Sequence, residues 1–359
     1  MVGVRYVELL EPFPASFGSM SDDGSTLVNS YSGFPRSLAI ERGAGWETIA
    51  ESGHYSDFFS AGGISDDGSV ISYTGNGPVN FIWRSGDTEE VPAVEVDGIA
   101  ADWVAVDGVS GDGTTVGVRQ IGEWGSRLYL YRGGAYLDIG VRADGAVYSQ
   151  RVSGLDRTGS VATINDREYV ELASGEDRRR LRAWVWEAGE LERIPDLSLG
   201  GEFVHTEAEG VSSDGTAAFG YSVANDGVYN DRHGWIYQHG VLHAVDEGLH
   251  VYSEVLDISD DGSVALVTAG DLSNTTEASY LWSAEGGLVL IDEVLLDQGI
   301  VIEGDVVHYF AISGDGNTLT ASVYHDQGDY FQQVVVTIPS PGALLMLGGG
   351  LLILSSRRR

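Results

Sequence analysis

The chain has 359 residues, 43% of them hydrophobic, and carries 54 acidic against 20 basic side chains for a formal net charge of −34. A surface of that sign repels nucleic acid and anionic lipid, which argues against a DNA- or RNA-binding role. With no Cys anywhere, disulfides, thiol catalysis and thiolate metal sites are excluded.

Taken in chain order, the first recognisable element is an orphan strand, Val4 to Leu10. Behind it comes the first copy of a motif that returns along the whole chain: an apolar residue, Ser, any residue, Asp, Gly, then a β-rich run. It reads Met20-Ser21-Asp22-Asp23-Gly24, Ile64-Ser65-Asp66-Asp67-Gly68 and Val109-Ser110-Gly111-Asp112-Gly113, and later Val211-Ser212-Ser213-Asp214-Gly215, Ile258-Ser259-Asp260-Asp261-Gly262 and Ile312-Ser313-Gly314-Asp315-Gly316. A degenerate copy, Leu155-Asp156-Arg157-Thr158-Gly159, fills the one gap. The glycines fall at 24, 68, 113, 159, 215, 262 and 316, in steps of 44 to 56 residues. Self-similarity at this period means a repeat architecture.

The second copy shows the unit most cleanly. Phe58 to Ser65 runs into a tight two-residue Asp-Gly turn; Ser69 to Thr74 returns; Val79 to Arg84 and Thr88 to Val94 follow, with turns at Gly75-Asn76-Gly77-Pro78 and Ser85-Gly86-Asp87. Asp-Gly between β-like runs is a strong hairpin signal, since Gly accepts positive φ and Asp closes the turn on its own backbone. No helical period extends beyond a few residues. The third strand ends in an aromatic in five units, Phe81-Ile82-Trp83, Tyr129-Leu130-Tyr131, Trp184-Val185-Trp186, Trp235-Ile236-Tyr237 and Tyr280-Leu281-Trp282, and is weaker in the first and last, Leu38-Ala39-Ile40 and Phe331-Gln332-Gln333. These rings are expected to pack between units, since each buries a large apolar area.

Four strands per unit and seven units predict an all-β, seven-bladed β-propeller of four-stranded antiparallel blades over residues 1–338. The last copy has no fourth strand of its own. The orphan strand, Arg5–Leu10, is therefore expected to complete that blade beside Tyr330–Ile338 and close the ring.

Composition breaks at Pro339. The segment 339–359 begins Pro339-Ser340-Pro341, continues through an apolar, Gly-rich run and ends Arg357-Arg358-Arg359. It is expected to form a hydrophobic helix, Gly342–Leu354, that anchors the chain in a membrane. The run is short for a stable span, and the terminal Arg cluster obeys the positive-inside rule. This order of hinge, apolar stretch and Arg cluster resembles the PEP-CTERM sorting signal of Gram-negative bacteria, with Ser340 where that signal has Glu. The resemblance implies that Gly342–Leu354 is a sorting helix held only transiently in the inner membrane, with an exosortase-type processing enzyme as partner and delivery to the cell surface or extracellular matrix. Met1-Val2-Gly3-Val4-Arg5 has no basic n-region or apolar h-region, so in-frame sequence upstream of Met1 is expected to encode a signal peptide. The repeat itself resembles the bacterial extracellular HAF repeat, on His233-Gly234-Trp235-Ile236-Tyr237, Arg182-Ala183-Trp184-Val185-Trp186 and the upstream Ser-x-Asp-Gly turn. That resemblance implies an extracellular, propeller-like module of unassigned activity.

Candidate chemistry is sparse, and no catalytic, cofactor-binding or metal-ligating residue is singled out. The Asp-Gly turns read as turn formers, with weak Ca²⁺ binding by some copies as the alternative, because Ca²⁺ wants six to eight oxygens and several copies carry a single Asp. His233, His239, His243 and His250 cluster in the fifth unit, where zinc would need at least three converging ligands. The Arg178-Arg179-Arg180 run with Arg182 reads as a solvated insertion. The turn resembles the Asp-box of sialidase-type propellers but lacks its spacing and Trp. Two functions remain: a non-enzymatic, surface-delivered module that binds matrix such as exopolysaccharide, or a secreted carbohydrate-active enzyme. The second would place paired acids about 5–10 Å apart, with Arg or Tyr beside them, around the central funnel.

Overall fold

A computed structural model describes residues 3–338 apart from 8–14, 17–19, 22–24, 32–35, 43–44, 53–58, 76–79, 94, 97–98, 101–102, 123–124, 143–150, 172–176, 200–203, 225–231, 247–251, 271–277, 303–305 and 326–329. The described residues form seven four-stranded antiparallel sheets. In blades 1 to 6 the strand order within each sheet is the order in the chain. The first strands are Ala15–Ser16, Ser60–Ile64, Trp103–Val109, Arg151–Leu155, Val204–Val211, Tyr252–Ile258 and, in blade 7, Val306–Ile312. From blade 2 to blade 7 each of these packs against the first strand of the next blade, so they form the inner ring.

Closure follows the sequence. Gly3–Val7 pairs antiparallel with Tyr330–Thr337, from Gly3 opposite Thr337 to Val7 opposite Gln333, as the outer strand of blade 7. The pairing begins two residues earlier than Arg5. The first and last described strands thus share one sheet.

Of the third-strand aromatics, Trp83, Tyr129, Tyr131, Trp186, Trp235, Tyr237 and Trp282 are buried, and Phe81, Trp184 and Tyr280 are partly buried. They sit in separate apolar clusters rather than one continuous core. Two are also tied to the preceding blade's outer strand, Tyr131 Oη donating to Glu89 (2.9 Å) and Tyr237 Oη to Glu192 (2.6 Å).

Three features differ from the sequence expectation. The Ser-x-Asp-Gly loop is longer than a two-residue turn. Ser65 N donates to Val70 O, Gly68 N to Ser65 O, and Gly68 alone takes positive φ (66°). The segment after the degenerate copy is a long hairpin, Val161–Glu171 with Asp177–Glu187, so Arg178 to Arg182 lie in a strand rather than in a solvated insertion. Arg182 is buried at 3% exposure. A short helix, Ile291–Asp297, joins blades 6 and 7; Ile291, Val294 and Leu295, spaced i, i+3, i+4, form its buried face. Among the described residues no helix is long and apolar enough to cross a membrane. The sorting helix expected at Gly342–Leu354, with Pro339, Ser340, Pro341, Arg357, Arg358 and Arg359, lies outside the described residues.

Candidate functional site

Among the described residues the Ser-x-Asp-Gly loops of blades 2, 3, 5, 6 and 7 are held by their own side chains. In blade 2 Ser65 Oγ donates to Asp67 Oδ1 (2.9 Å) and accepts from Val70 N, while Asp67 Oδ1 also accepts from Ser69 N. The same triangle recurs on Ser110/Asp112, Ser212/Asp214, Ser259/Asp261 and Ser313/Asp315. Hydrogen bonds from Ser69 hold the Asp67 carboxyl below its ordinary pKa. At Asp112, Asp261 and Asp315 burial pushes the other way, and the loop hydrogen bonds outweigh it. One carboxylate oxygen per motif Asp is therefore committed to the turn.

The degenerate fourth copy keeps this geometry with the partners exchanged. Asp156 stands at the Ser position and accepts from Val161 N through Oδ1 (2.8 Å), and from Thr158 and Ser160 hydroxyls through Oδ2. Acceptor and donor have traded places around the same loop.

The variable residue of the motif faces its neighbours around the ring. Backbone bonds pass from turn to turn: Asp66 N to Gly111 O (2.8 Å), Asp112 N to Arg157 O (2.7 Å), Arg157 N to Ser213 O (2.6 Å), Asp214 N to Asp260 O (2.9 Å) and Asp260 N to Gly314 O (2.7 Å). The Arg157 guanidinium reaches Asp66 Oδ2 in blade 2 (Nε, 2.7 Å) and Asp260 Oδ2 in blade 6 (Nη2, 2.8 Å). A cavity of about 560 Å³ opens here, lined by Asp66, Asp67, Asp112, Arg157, Asp260 and Asp315 among others.

A second polar group lies on the inner strands, away from the turns. Along these strands alternate residues are partly exposed, as in the exposed–buried pattern of Trp103–Val109. A β-bulge interrupts the register three residues before the motif Ser in blades 2, 3, 5, 6 and 7, and at the matching residue of blade 4. The partly exposed face carries Trp103 and Asp107 in blade 3, Arg151 in blade 4, His205, Glu207 and Glu209 in blade 5, and Tyr252 and Glu254 in blade 6. Arg151 bridges Glu207 (2.9 Å) and Glu209 (3.2 Å), and Arg232 pairs with Glu254 (2.7 Å). Tyr221 Oη donates to Glu207 and Tyr252 Oη to Glu254. The Arg232 guanidinium stacks 4.4 Å above the Tyr221 ring.

Burial pushes the Glu209 carboxyl up to about 7; Arg151 opposes the rise, while Glu207 and Glu254 add to it. Two further inner-strand carboxyls bind the next blade. Asp107 accepts from Val152 N (3.2 Å) and Asp257 from Ile312 N (2.8 Å). Burial raises Asp107 to about 6, against the pull of Arg119, and raises Asp257 to about 7.

The fifth-blade histidines do not converge. His233 Nδ1 lies 3.0 Å from buried Asp246, which also accepts from Ser253 Oγ (2.8 Å). Ser, His and Asp are all present, but the hydroxyl meets the carboxylate rather than the imidazole, so this is no nucleophile–base arrangement. Blade 4 builds the same lock with other residues: Arg182 to Asp196 (2.6 Å), with Thr206 Oγ1 on the same carboxylate (2.7 Å). His239 occupies the turn after the third strand at φ 51°, His243 packs toward Trp282, and His250 lies outside the described residues. Among the described residues no group of three or more His, Asp or Glu is arranged to hold a metal ion.

No family model and no curated protein matches the sequence. Solved structures do. The β-propeller domain of the Trilobed protease from Pyrococcus furiosus is 12% identical with a TM-score of 0.56, over 90% of this chain and 94% of that one. The oligogalacturonate lyase of Vibrio parahaemolyticus is also 12% identical at 0.56, over 94% and 97%. The Cps50 (Swd1) β-propeller domain of Myceliophteria thermophila is 9% identical at 0.52, over 94% and 100%. The chain is a β-propeller. At these identities the likeness is one of fold alone, and the neighbours themselves include both enzymes and non-enzymes.

Neither polar group was singled out by sequence reasoning. The inner-strand layer left no local signal, since its members come from separate repeats. Arg157 did leave one: it is the only cation at the variable position of the seven motif copies.

Proposed function

We propose that this propeller is a non-enzymatic, cell-surface module that binds extracellular glycan such as neutral exopolysaccharide through the partly exposed face of its inner strands. The carrying observation is Trp103, 41% exposed, at the head of an inner strand on the same face as the Arg–Glu–Tyr layer. An open indole gives a sugar ring an apolar platform, and convergent polar groups beside it fix orientation. Glu207 and Glu254 are each engaged by an Arg and a Tyr hydroxyl, and Glu209 by Arg151, which suits binding better than covalent chemistry. Immobilised polysaccharides should retain the purified protein, and Trp103→Ala should weaken retention at least about tenfold, the scale of one lost stacking contact. Failure to bind any glycan overturns the reading.

One observation favours the carbohydrate-active enzyme instead. Glu209, with a carboxyl near 7, stands beside the Tyr221–Glu207 pair and two Arg, and a general acid needs such a raised pKa. Release of reducing sugar, abolished by Glu209→Gln, would decide for it.

Delivery belongs to the same proposal. Residues 339–359 act as a sorting signal cut by an exosortase-type enzyme, and Pro339–Pro341 is the hinge. Intact-mass analysis of surface-released protein should show a chain lacking Arg357–Arg359. A complete C-terminus there replaces the sorting signal with a plain anchor.

A further inference from the structure

The Arg157 guanidinium lies among the motif turns rather than in the inner-strand layer, and nothing in the glycan reading uses it. Its two carboxylate partners belong to the blades two before and two after its own, 91 and 103 residues away in the chain. Ser213 of the following blade completes the set, its Oγ 3.2 Å from Arg157 Nε and 3.3 Å from Asp66 Oδ2. The neighbouring turns make room for these carboxylates. A Cβ at Gly111 would stand 2.1 Å from Asp66 Oδ1, and one at Gly314 would stand 2.3 Å from Asp260 Oδ1. Asp260 Oδ1 is buried and has no hydrogen-bond partner among the described residues. Two carboxylates and a hydroxyl are oxygen donors of the kind a hard divalent cation takes. Here a fixed guanidinium occupies its place, spanning both carboxylates with separate nitrogens as a planar fork can.

We infer that Arg157 is a resident cation: it fills, from within the chain, a cation site among the motif turns whose carboxylates are Asp66 and Asp260, and so ties blades 2, 4 and 6 together without a metal ion. Ring integrity at the turn face is then independent of divalent ions, which matters for a protein working where their concentration varies.

The test is thermal unfolding of the full chain with EDTA and with CaCl₂, together with calorimetric titration of CaCl₂ alone. The native protein should melt at the same temperature in both. Arg157→Ser should melt lower in EDTA by roughly 2 °C and recover most of that loss in CaCl₂. Adding Asp66→Asn and Asp260→Asn to Arg157→Ser should remove the recovery. The Asp66→Asn/Asp260→Asn pair with Arg157 kept should melt lower than the native chain and ignore CaCl₂, which tests the site even if Arg157→Ser fails to fold. A native chain that loses stability in EDTA overturns the inference. So does an Arg157→Ser chain no more responsive to CaCl₂ than the native one.

Discussion

Gly154→Ala is expected to cost about 3 kcal/mol, at the upper end of what overpacking exacts, while Gly108→Ala stays close to neutral. The two glycines hold the same repeat position, two residues before the motif Ser or its Asp156 counterpart. At Gly154 an added Cβ would stand 2.8 Å from both Gly210 Cα and Val211 N of the next blade's inner strand. Those are backbone atoms and cannot rotate away, so blades 4 and 5 would have to part. At Gly108 an added Cβ meets nothing within 4 Å, and the smaller entropy of the unfolded chain offsets any local cost. Chemical denaturation of the two variants beside the native chain gives the comparison directly. Equal effects at both positions would show that inner-strand contact does not set the packing of these blades.

The second large effect is a gain of stability on mild acidification. Asp257 rises from 3.8 to about 7 on folding, Asp107 from 3.8 to about 6 and Glu209 from 4.5 to about 7. Between its unfolded and folded values each of these groups is more protonated in the folded chain. Stability therefore falls as pH rises through that window and returns as pH is lowered. For Asp257 the shift is worth on the order of 4 kcal/mol across its window. The motif carboxyls Asp67, Asp112, Asp261 and Asp315 run the other way: their contribution is present above about pH 4 and is lost below it. The melting temperature should thus be higher near pH 5 than near pH 8, then drop under stronger acid. The net charge of −34 pushes in the same direction through self-repulsion, but salt screens that part and leaves the buried groups largely untouched. A rise toward pH 5 that persists in about 0.5 M salt assigns it to the buried carboxyls. A flat profile in salt removes them as the cause.

Much of the architecture was legible residue by residue. The Ser-x-Asp-Gly loop is local chemistry: a hydroxyl, a carboxylate and one glycine at positive φ close it wherever it occurs, so counting loops counted blades. The missing fourth strand after Tyr330–Thr337 and the spare strand at the N-terminus implied closure, because an antiparallel edge without a partner leaves main-chain groups unpaired. Arg182 was misplaced for a related reason. Its neighbours Arg178 to Arg180 suggested a solvated loop, but cross-strand pairing with Val161–Glu171 and the Asp196 carboxylate, neither local, draw it into the interior.

The repeat count, the strand order, the ring closure and the inward aromatics were determined by the sequence by itself, since each rests on alternation and turn chemistry within a few residues. Only the tertiary structure decided that Asp66, Arg157 and Asp260 meet, that Gly111 and Gly314 clear space for them, and that Trp103, Arg151, Glu207, Glu209 and Glu254 share one face of the inner ring. The physical reason is that a closed ring brings residues about fifty or a hundred positions apart into contact through blade twist and bulge placement, and no local pattern encodes which of them will touch.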